Sequence, residues 1–217
     1  MALDEHTVRV HPGEVTLRFY NWVPGPAVTF GYAQFTSEVR RELAQVSFSG
    51  PYVRRPTGGG LVFHQDDLTF SLVFSSADKP TDIYKKLHAA VLEQLVRVGL
   101  NGSVFDKHLP AAAYAPSVNH RANACFVHPV ENDLLRTDGQ KMLGGAIRRF
   151  GQTVLYQGSL QLPGVRTNPA AKRAVIEAVR YFLGVDLHPA ACPPEDLQAA
   201  RNLARIQYNT PGWTEKF

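Results

Sequence analysis

The chain has 217 residues, with 23 Lys and Arg against 19 Asp and Glu, a formal charge of +4 and a pI near 9.1. Hydrophobic residues at 44% and charged residues at 19% mark a globular chain rather than a disordered one, and no apolar run reaches the roughly 18 residues that span a bilayer. The modest basic excess suits an acidic protein partner, and no Lys/Arg block or aromatic RNA-binding motif points to nucleic acid. Two cysteines, Cys125 and Cys192, are too few for a disulfide framework and lack the histidine spacing of a zinc site. The opening Met1-Ala2-Leu3-Asp4-Glu5 has acids where a secretory signal needs bases, which predicts a cytoplasmic protein. The length predicts one domain over 1–217.

In chain order, Met1 to Val10 predicts a short helix broken by Pro12-Gly13. Val15 to Tyr20 and Ala27 to Tyr32 predict two neighbouring strands around the Pro24-Gly25-Pro26 turn. Thr36 or Ser37 can cap a helix to about Val46, with Glu38 in its first turn. Tyr52 to Arg55 and Leu61 to His64 read as strands joined by a bare glycine turn, followed by a strand at Phe70 to Phe74. From Pro80 to Leu100, Ile83, Leu87, Val91, Leu95 and Val98 recur at steps of three or four, the apolar stripe of a helix. Lys107 to Ala122 has no helical period and predicts a long surface loop. Strands are predicted at Ala124 to Val127, Asp133 to Arg136, Met142 to Phe150 and Thr153 to Leu162, the middle pair turned by Thr137-Asp138-Gly139. Thr167 or Asn168 then starts a helix with Val175, Ile176, Val179, Phe182 and Leu183 on one face, and a last helix spans about Glu195 to Gln207. Strand runs broken by helices without regular βαβ alternation predict an α+β domain on a mixed, mostly antiparallel central sheet flanked by helices.

The stretch Arg54-Arg55-Pro56-Thr57-Gly58-Gly59-Gly60 carries chemistry. Glycines admit a ligand close to the backbone and let several N–H groups converge, while two arginines offer charge, so the turn suits a carboxyl, phosphate or thioester oxygen. An ordinary hairpin with a glycine tip has the same sequence. Lys141, in Gln140-Lys141-Met142-Leu143-Gly144-Gly145-Ala146, can reach a carbonyl or phosphate, or can be a solvated lysine at a strand entrance. Cys125, between Ala124 and Phe126, is either a small core filler or, near an ammonium, a nucleophilic thiolate. His64 either orients an acyl or phosphate group or is a hydrogen-bonded structural histidine. Cys192 has no assigned role.

These segments together resemble the biotin/lipoate protein ligase catalytic-domain family, nearest to its cysteine-dependent octanoyltransferases and its lipoate-protein ligase A branch. The likeness covers most of the chain. It includes Met1 to Glu5, Leu17 to Trp22, Gly31-Tyr32-Ala33-Gln34, the arginine and glycine stretch, Asp67-Leu68-Thr69-Phe70-Ser71 and Ala124-Cys125-Phe126. It continues through Asn132-Asp133-Leu134, the Lys141 run, Arg148-Arg149 and Gln157-Gly158-Ser159-Leu160. The resemblance implies the fold of that family and an octanoyl or lipoyl transfer from acyl carrier protein, through an acyl-Cys125, to a lysine of a lipoyl domain, with no cofactor or metal. Cys125 and Lys141 are then catalytic. Arg54, Arg55, Gly58, Gly59, Gly60, His64, Asp133, Gly144, Gly145 and Ala146 bind the acyl or phosphate group. Gly60, where family transferases usually carry an arginine, and the Asn132-Asp133 pair lean toward an ATP-dependent lipoate ligase. That enzyme forms lipoyl-AMP with ATP and magnesium, with Asp133 near the metal. A non-catalytic binding module that keeps the pocket is a third reading, and biotin ligation is set aside because the likeness is strongest to the lipoyl branch.

Overall fold

Backbone hydrogen bonding sorts the strands into two sheets in the computed structural model, which describes residues 1–23, 25–107 and 129–217. The larger, six-stranded sheet is antiparallel throughout. Numbered in chain order, its strands lie side by side as β1 (Thr16–Tyr20), β5 (Leu68–Ser75), β9 (Thr153–Leu160), β8 (Lys141–Phe150), β7 (Leu134–Arg136) and β6 (Gly102–Val104). The smaller sheet has β2 (Ala27–Phe30) in the centre, parallel to β3 (Tyr52–Arg54) and antiparallel to β4 (Val62–His64).

One face of the large sheet is apolar along its length. Leu68, Phe70, Leu72 and Phe74 of β5, with Val154, Tyr156 and Leu160 of β9, pack against α3 (Pro80–Arg97) and α4 (Pro169–Leu183). In α3 the stripe of Ile83, Leu87, Val91 and Leu95 is fully buried, and Pro80 sits in the first turn, where a missing N–H costs nothing. Each such side chain contributes about 1.5–3 kcal/mol on burial. Asn168 caps α4 by accepting from Ala170 and Ala171 N–H at 2.9 and 3.2 Å, and Gly184 ends it with φ +65°.

The opposite face changes character along the strands. The register pairs Val73 with Leu155, Ser71 with Gln157 and Thr69 with Ser159. The Val73–Leu155 end is covered by Val8 of α1 (Ala2–Val10). The polar end meets segments of the small sheet through Thr57 and Asp67. α2 (Thr36–Gln45) covers the small sheet with Val39 and Leu43, and α5 (Pro194–Leu203) lies on α1. A π-helical turn at Ala204–Tyr208 and α6 (Pro211–Thr214) follow. No helix among the described residues is long and apolar enough to cross a membrane.

The α+β class and most elements agree with the sequence. Two pairings do not. β1 and β2 are not neighbours: β1 pairs with β5, whereas β2, buried at every residue, lies between β3 and β4. The glycine turn is not a hairpin either, because β3 and β4 flank β2 on opposite sides and the turn crosses between them. β6 escaped the sequence because its three residues begin with a glycine. The predicted strand 124–127, and the predicted loop beyond Lys107, lie outside the described residues.

Candidate functional site

A pocket with about 390 Å³ of empty space, its open mouth included, lies between the polar face of the large sheet and the small sheet. Gly144, Gly145 and Ala146 of β8 and Gln157, Gly158 and Ser159 of β9 form one wall; Thr29, Arg55, Val62 and His64 of the other sheet stand opposite. Small residues in β8 leave room where ordinary side chains would stand. A Cβ at Gly145 would lie 2.4 Å from the Tyr156 ring, and one at Gly158 2.7 Å from Phe70 Cζ. A Cβ at Gly144 would lie 2.3 Å from Lys141 Cε and 2.6 Å from its Nζ, so this glycine makes the space that the lysine occupies.

The two arginines of the motif do different work because adjacent strand residues point to opposite sides. Arg54 is fully buried and spends all of its N–H groups internally. Nε donates to Trp213 O at 2.9 Å, Nη1 to the carbonyls of Tyr32 and Gln34 at 2.6 and 2.7 Å, and Nη2 to Thr36 Oγ1 and Thr214 O at 2.9 and 2.8 Å. Its expected place beside an acyl or phosphate group is therefore corrected: it clasps the C-terminal segment to the β2–α2 loop. Arg55 lines the pocket, donating to Thr29 Oγ1 at 2.8 Å and to the carbonyls of Gly58 and Gly60 at 2.8 and 2.9 Å.

The glycine turn thus wraps its carbonyls around Arg55. Further ties hold it to both sheets: Thr57 donates to Gln157 Oε1 at 2.7 Å, Arg148 to Pro56 O at 2.9 Å, and Tyr32 N–H to Thr57 O at 2.8 Å. Gly59 has φ +88°, and its carbonyl would lie 1.9 Å from a Cβ at Gly31, so two backbones meet at closest approach. Among the described residues, the N–H groups of Gly58 and Gly59 donate to no partner.

His64 sits in a continuous chain of buried hydrogen bonds. Its Nδ1 lies 2.8 Å from Asp67 Oδ2, an acceptor, so Nδ1 bears the proton and Nε2 accepts from Thr29 Oγ1 at 2.9 Å. Burial holds its pKa below the ordinary histidine range despite the nearby carboxylate. Burial works to raise the Asp67 pKa, but hydrogen bonds from His64, Thr69 and Ser159 outweigh it and keep the carboxyl ionised. Trp22 stacks on His64 at 4.4 Å between ring centres. Both ring nitrogens of His64 are committed, so it shapes the wall through Thr29 and Asp67.

Lys141 forms a buried ion pair with Asp133, Nζ to Oδ2 at 2.7 Å. Asp133 also accepts from Val130 N–H at 2.6 Å and from the Tyr84 hydroxyl at 2.5 Å. Burial pushes the Asp133 pKa up, against the lowering pull of Lys141. Three donors thus converge on this carboxylate, two on Oδ2 and one on Oδ1. The preceding Asn132, at φ +69°, is held from behind by His88. His88 Nδ1 donates to Asn132 O at 2.8 Å, so Nε2 accepts from the Tyr156 hydroxyl at 2.7 Å, and burial lowers its pKa to about 3. Cys125 lies outside the described residues.

The structure therefore brings Arg55, His64, Gly144, Gly145 and Ala146 to one pocket, and sets Lys141 and Asp133 against its Gly144 edge. Sequence reasoning gave no role to Thr29, Asp67, Tyr84 or Gln157. Asp67 and Gln157 stood inside motif segments, and Tyr84 and His88 are polar residues one helical turn apart beside the apolar stripe of α3, which is the signal that could have found them.

A sequence profile described as the lipoyl protein ligase A/B catalytic domain matches residues 1–168. The chain is 34% identical over 169 residues to octanoyltransferase LipM of Symbiobacterium thermophilum, a match that takes in 75% of this chain and 60% of that protein's length. It is 33% identical over 262 aligned positions to octanoyltransferase LipM of Geobacillus kaustophilus, covering 100% of this chain and 93% of the relative. Its fold is like that of a lipoate-protein ligase A solved with bound ATP, with a TM-score of 0.74 at 22% identity over 99% of this chain and 92% of the other.

Proposed function

We propose, because the chain belongs to the lipoyl protein ligase A/B catalytic-domain family, that it is a protein-lysine acyltransferase of lipoate metabolism. It moves an octanoyl group from acyl carrier protein to a lysine of a lipoyl domain, with residues 1–217 acting as one catalytic domain. The observation behind this reading is the narrow pocket walled by Gly144, Gly145 and Ala146 with Lys141 held at its edge. Such a slot suits an unbranched acyl chain, whose burial contributes about 0.8 kcal/mol per CH₂. Relatives named octanoyltransferase support the same assignment.

In this mechanism the Cys125 thiolate attacks the thioester carbonyl. A new C–S bond forms to Cys125, the C–S bond to the carrier breaks, and the carrier thiolate takes up a proton. The acceptor lysine amine then attacks the acyl-cysteine; a C–N bond forms, the Cys125 thiolate departs, and the amine gives up its proton. Lys141 favours the thiolate and faces the carbonyl oxygen as negative charge develops there. The N–H groups of Gly58 and Gly59 supply further donors for an oxyanion. The first step exchanges one thioester for another and the second converts a thioester into the more stable amide, so neither uses ATP.

A lipoate ligase is the second reading, favoured by those same N–H groups, which suit an adenylate phosphate, and by the likeness of fold to the ATP-bound ligase. Pure protein given octanoyl carrier protein and an apo lipoyl domain, without ATP, should acylate the acceptor over multiple turnovers. Acyl-AMP formation from lipoic acid, ATP and magnesium, with no transfer from the carrier, would replace the transferase by the ligase.

A further inference from the structure

Tyr84 lies on α3, behind the pocket wall, and no step above uses it. Its hydroxyl makes two bonds that join the two halves of the acylation site. It donates to Asp133 Oδ1 at 2.5 Å, and it accepts from Gly145 N–H at 3.0 Å. Asp133 in turn holds the Lys141 ammonium, while Gly145 belongs to the pocket wall. One hydroxyl therefore links the carboxylate that holds the ammonium to the pocket wall.

The surroundings keep that hydroxyl in place. The Tyr84 ring lies against the His88 ring at 3.9 Å between centres, and His88 is tied to Asn132 O and to Tyr156. Burial and the neighbouring Asp133 carboxylate raise the phenol pKa well above its ordinary value, so it remains a donor. Among the described residues, Asp133 meets Tyr84 of α3, Lys141 of β8 and the Val130 N–H, with Tyr156 of β9 near enough to feel its charge. Tyr84 bonds both to the Asp133 carboxylate and to the β8 backbone.

We propose that Tyr84 is a positioning residue for acyl transfer, acting on Lys141 through Asp133 and registering it against the Gly145 wall. The proposal rests on the catalytic reading of Lys141 given above. A residue that places a catalytic group need not touch substrate, and misplacement on the order of 1 Å can slow a reaction about 100-fold. Tyr84→Phe keeps the ring against His88 and removes only the two hydroxyl bonds, so the fold is expected to persist.

The test combines Tyr84→Phe, Asp133→Asn and the double variant with two readouts. The first is the single-turnover rate of octanoyl capture from octanoyl carrier protein. Tyr84→Phe should lower the maximal rate about 10- to 100-fold with KM for the carrier unchanged. In the Asp133→Asn background it should add little, because the path through Asp133 is already cut. The second readout is mass-spectrometric labelling of Lys141 by an amine reagent, which needs no enzymatic activity. Tyr84→Phe should speed labelling of Lys141 and leave that of the exposed Lys86 unchanged. A wild type that captures no acyl group would defeat the functional reading while the labelling still decides on Tyr84. Unchanged Lys141 labelling, or rate losses that multiply in the double variant, would overturn the proposal.

Discussion

The two glycine-rich segments are built from the same residue for different physical reasons. In the turn at Gly58 to Gly60, glycine serves the backbone: Gly59 takes φ +88° and its carbonyl presses on Gly31, while a Cβ at Gly58 would meet nothing within 4 Å. In β8, glycine serves neighbouring side chains, leaving room for Lys141 over Gly144 and for Tyr156 beside Gly145. The turn is exposed and tied down by hydrogen bonds from Arg55, Arg148 and Thr57, whereas the strand rests on a buried ion pair. A run of glycines therefore says that something comes close, and the surrounding structure says what.

The contrast is broken hardest by removing the lysine that β8 accommodates. Lys141→Met should destabilise the fold by about 3–5 kcal/mol in urea unfolding at pH 7, because Asp133 is left buried without its counter-charge. A loss within experimental error would show that Asp133 already carries a proton beside Lys141.

Gly144→Ala is the milder attack on the same point. The end of a lysine side chain can swing aside, so the predicted loss is about 1–3 kcal/mol, but Nζ must leave Asp133 and acyl capture should fall about 100-fold. Wild-type activity in this variant would contradict the placement of Lys141 over Gly144.

Acid distinguishes the two regions as well. His88, behind β8, titrates near 3 when folded and near 6.5 when unfolded. The folded value is the lower, so the unfolded chain binds the proton first and stability declines as pH falls below about 6.5. Between pH 7.5 and 5.5 His88 alone should account for about 1.4 kcal/mol of lost stability. His88→Gln, measured by denaturant titration at both pH values, should remove that share of the difference.

The smallest effect belongs to the turn. Gly58→Ala meets open space at an ordinary φ and should change stability by less than about 0.5 kcal/mol. A loss comparable to that of Gly144→Ala would erase the distinction.

Much of this was legible in the sequence, for identifiable reasons. The stripe from Ile83 to Leu95 announced α3, and Thr137-Asp138-Gly139 announced the β7–β8 hairpin, since both signals are local. The position of the glycine turn was visible for the same reason. Its crossing over β2 was not, because strand order depends on pairings between distant residues that composition does not encode. Arg54 and Arg55 looked equivalent as neighbouring charges, and only the direction of each side chain separates a clasp on the C-terminal segment from a pocket wall. Tyr84 remained hidden because its importance lies in two partners, Asp133 and Gly145, dozens of residues away.

Transfer through an acyl-cysteine leaves a covalent mark that intact mass analysis followed by peptide mapping detects. Wild-type protein mixed with octanoyl carrier protein in the absence of ATP should gain one octanoyl group on the peptide that contains Cys125, and Cys125→Ser should gain none while remaining folded. An unmodified Cys125 peptide, together with full activity of Cys125→Ser that depends strictly on ATP, would rule out transfer through Cys125.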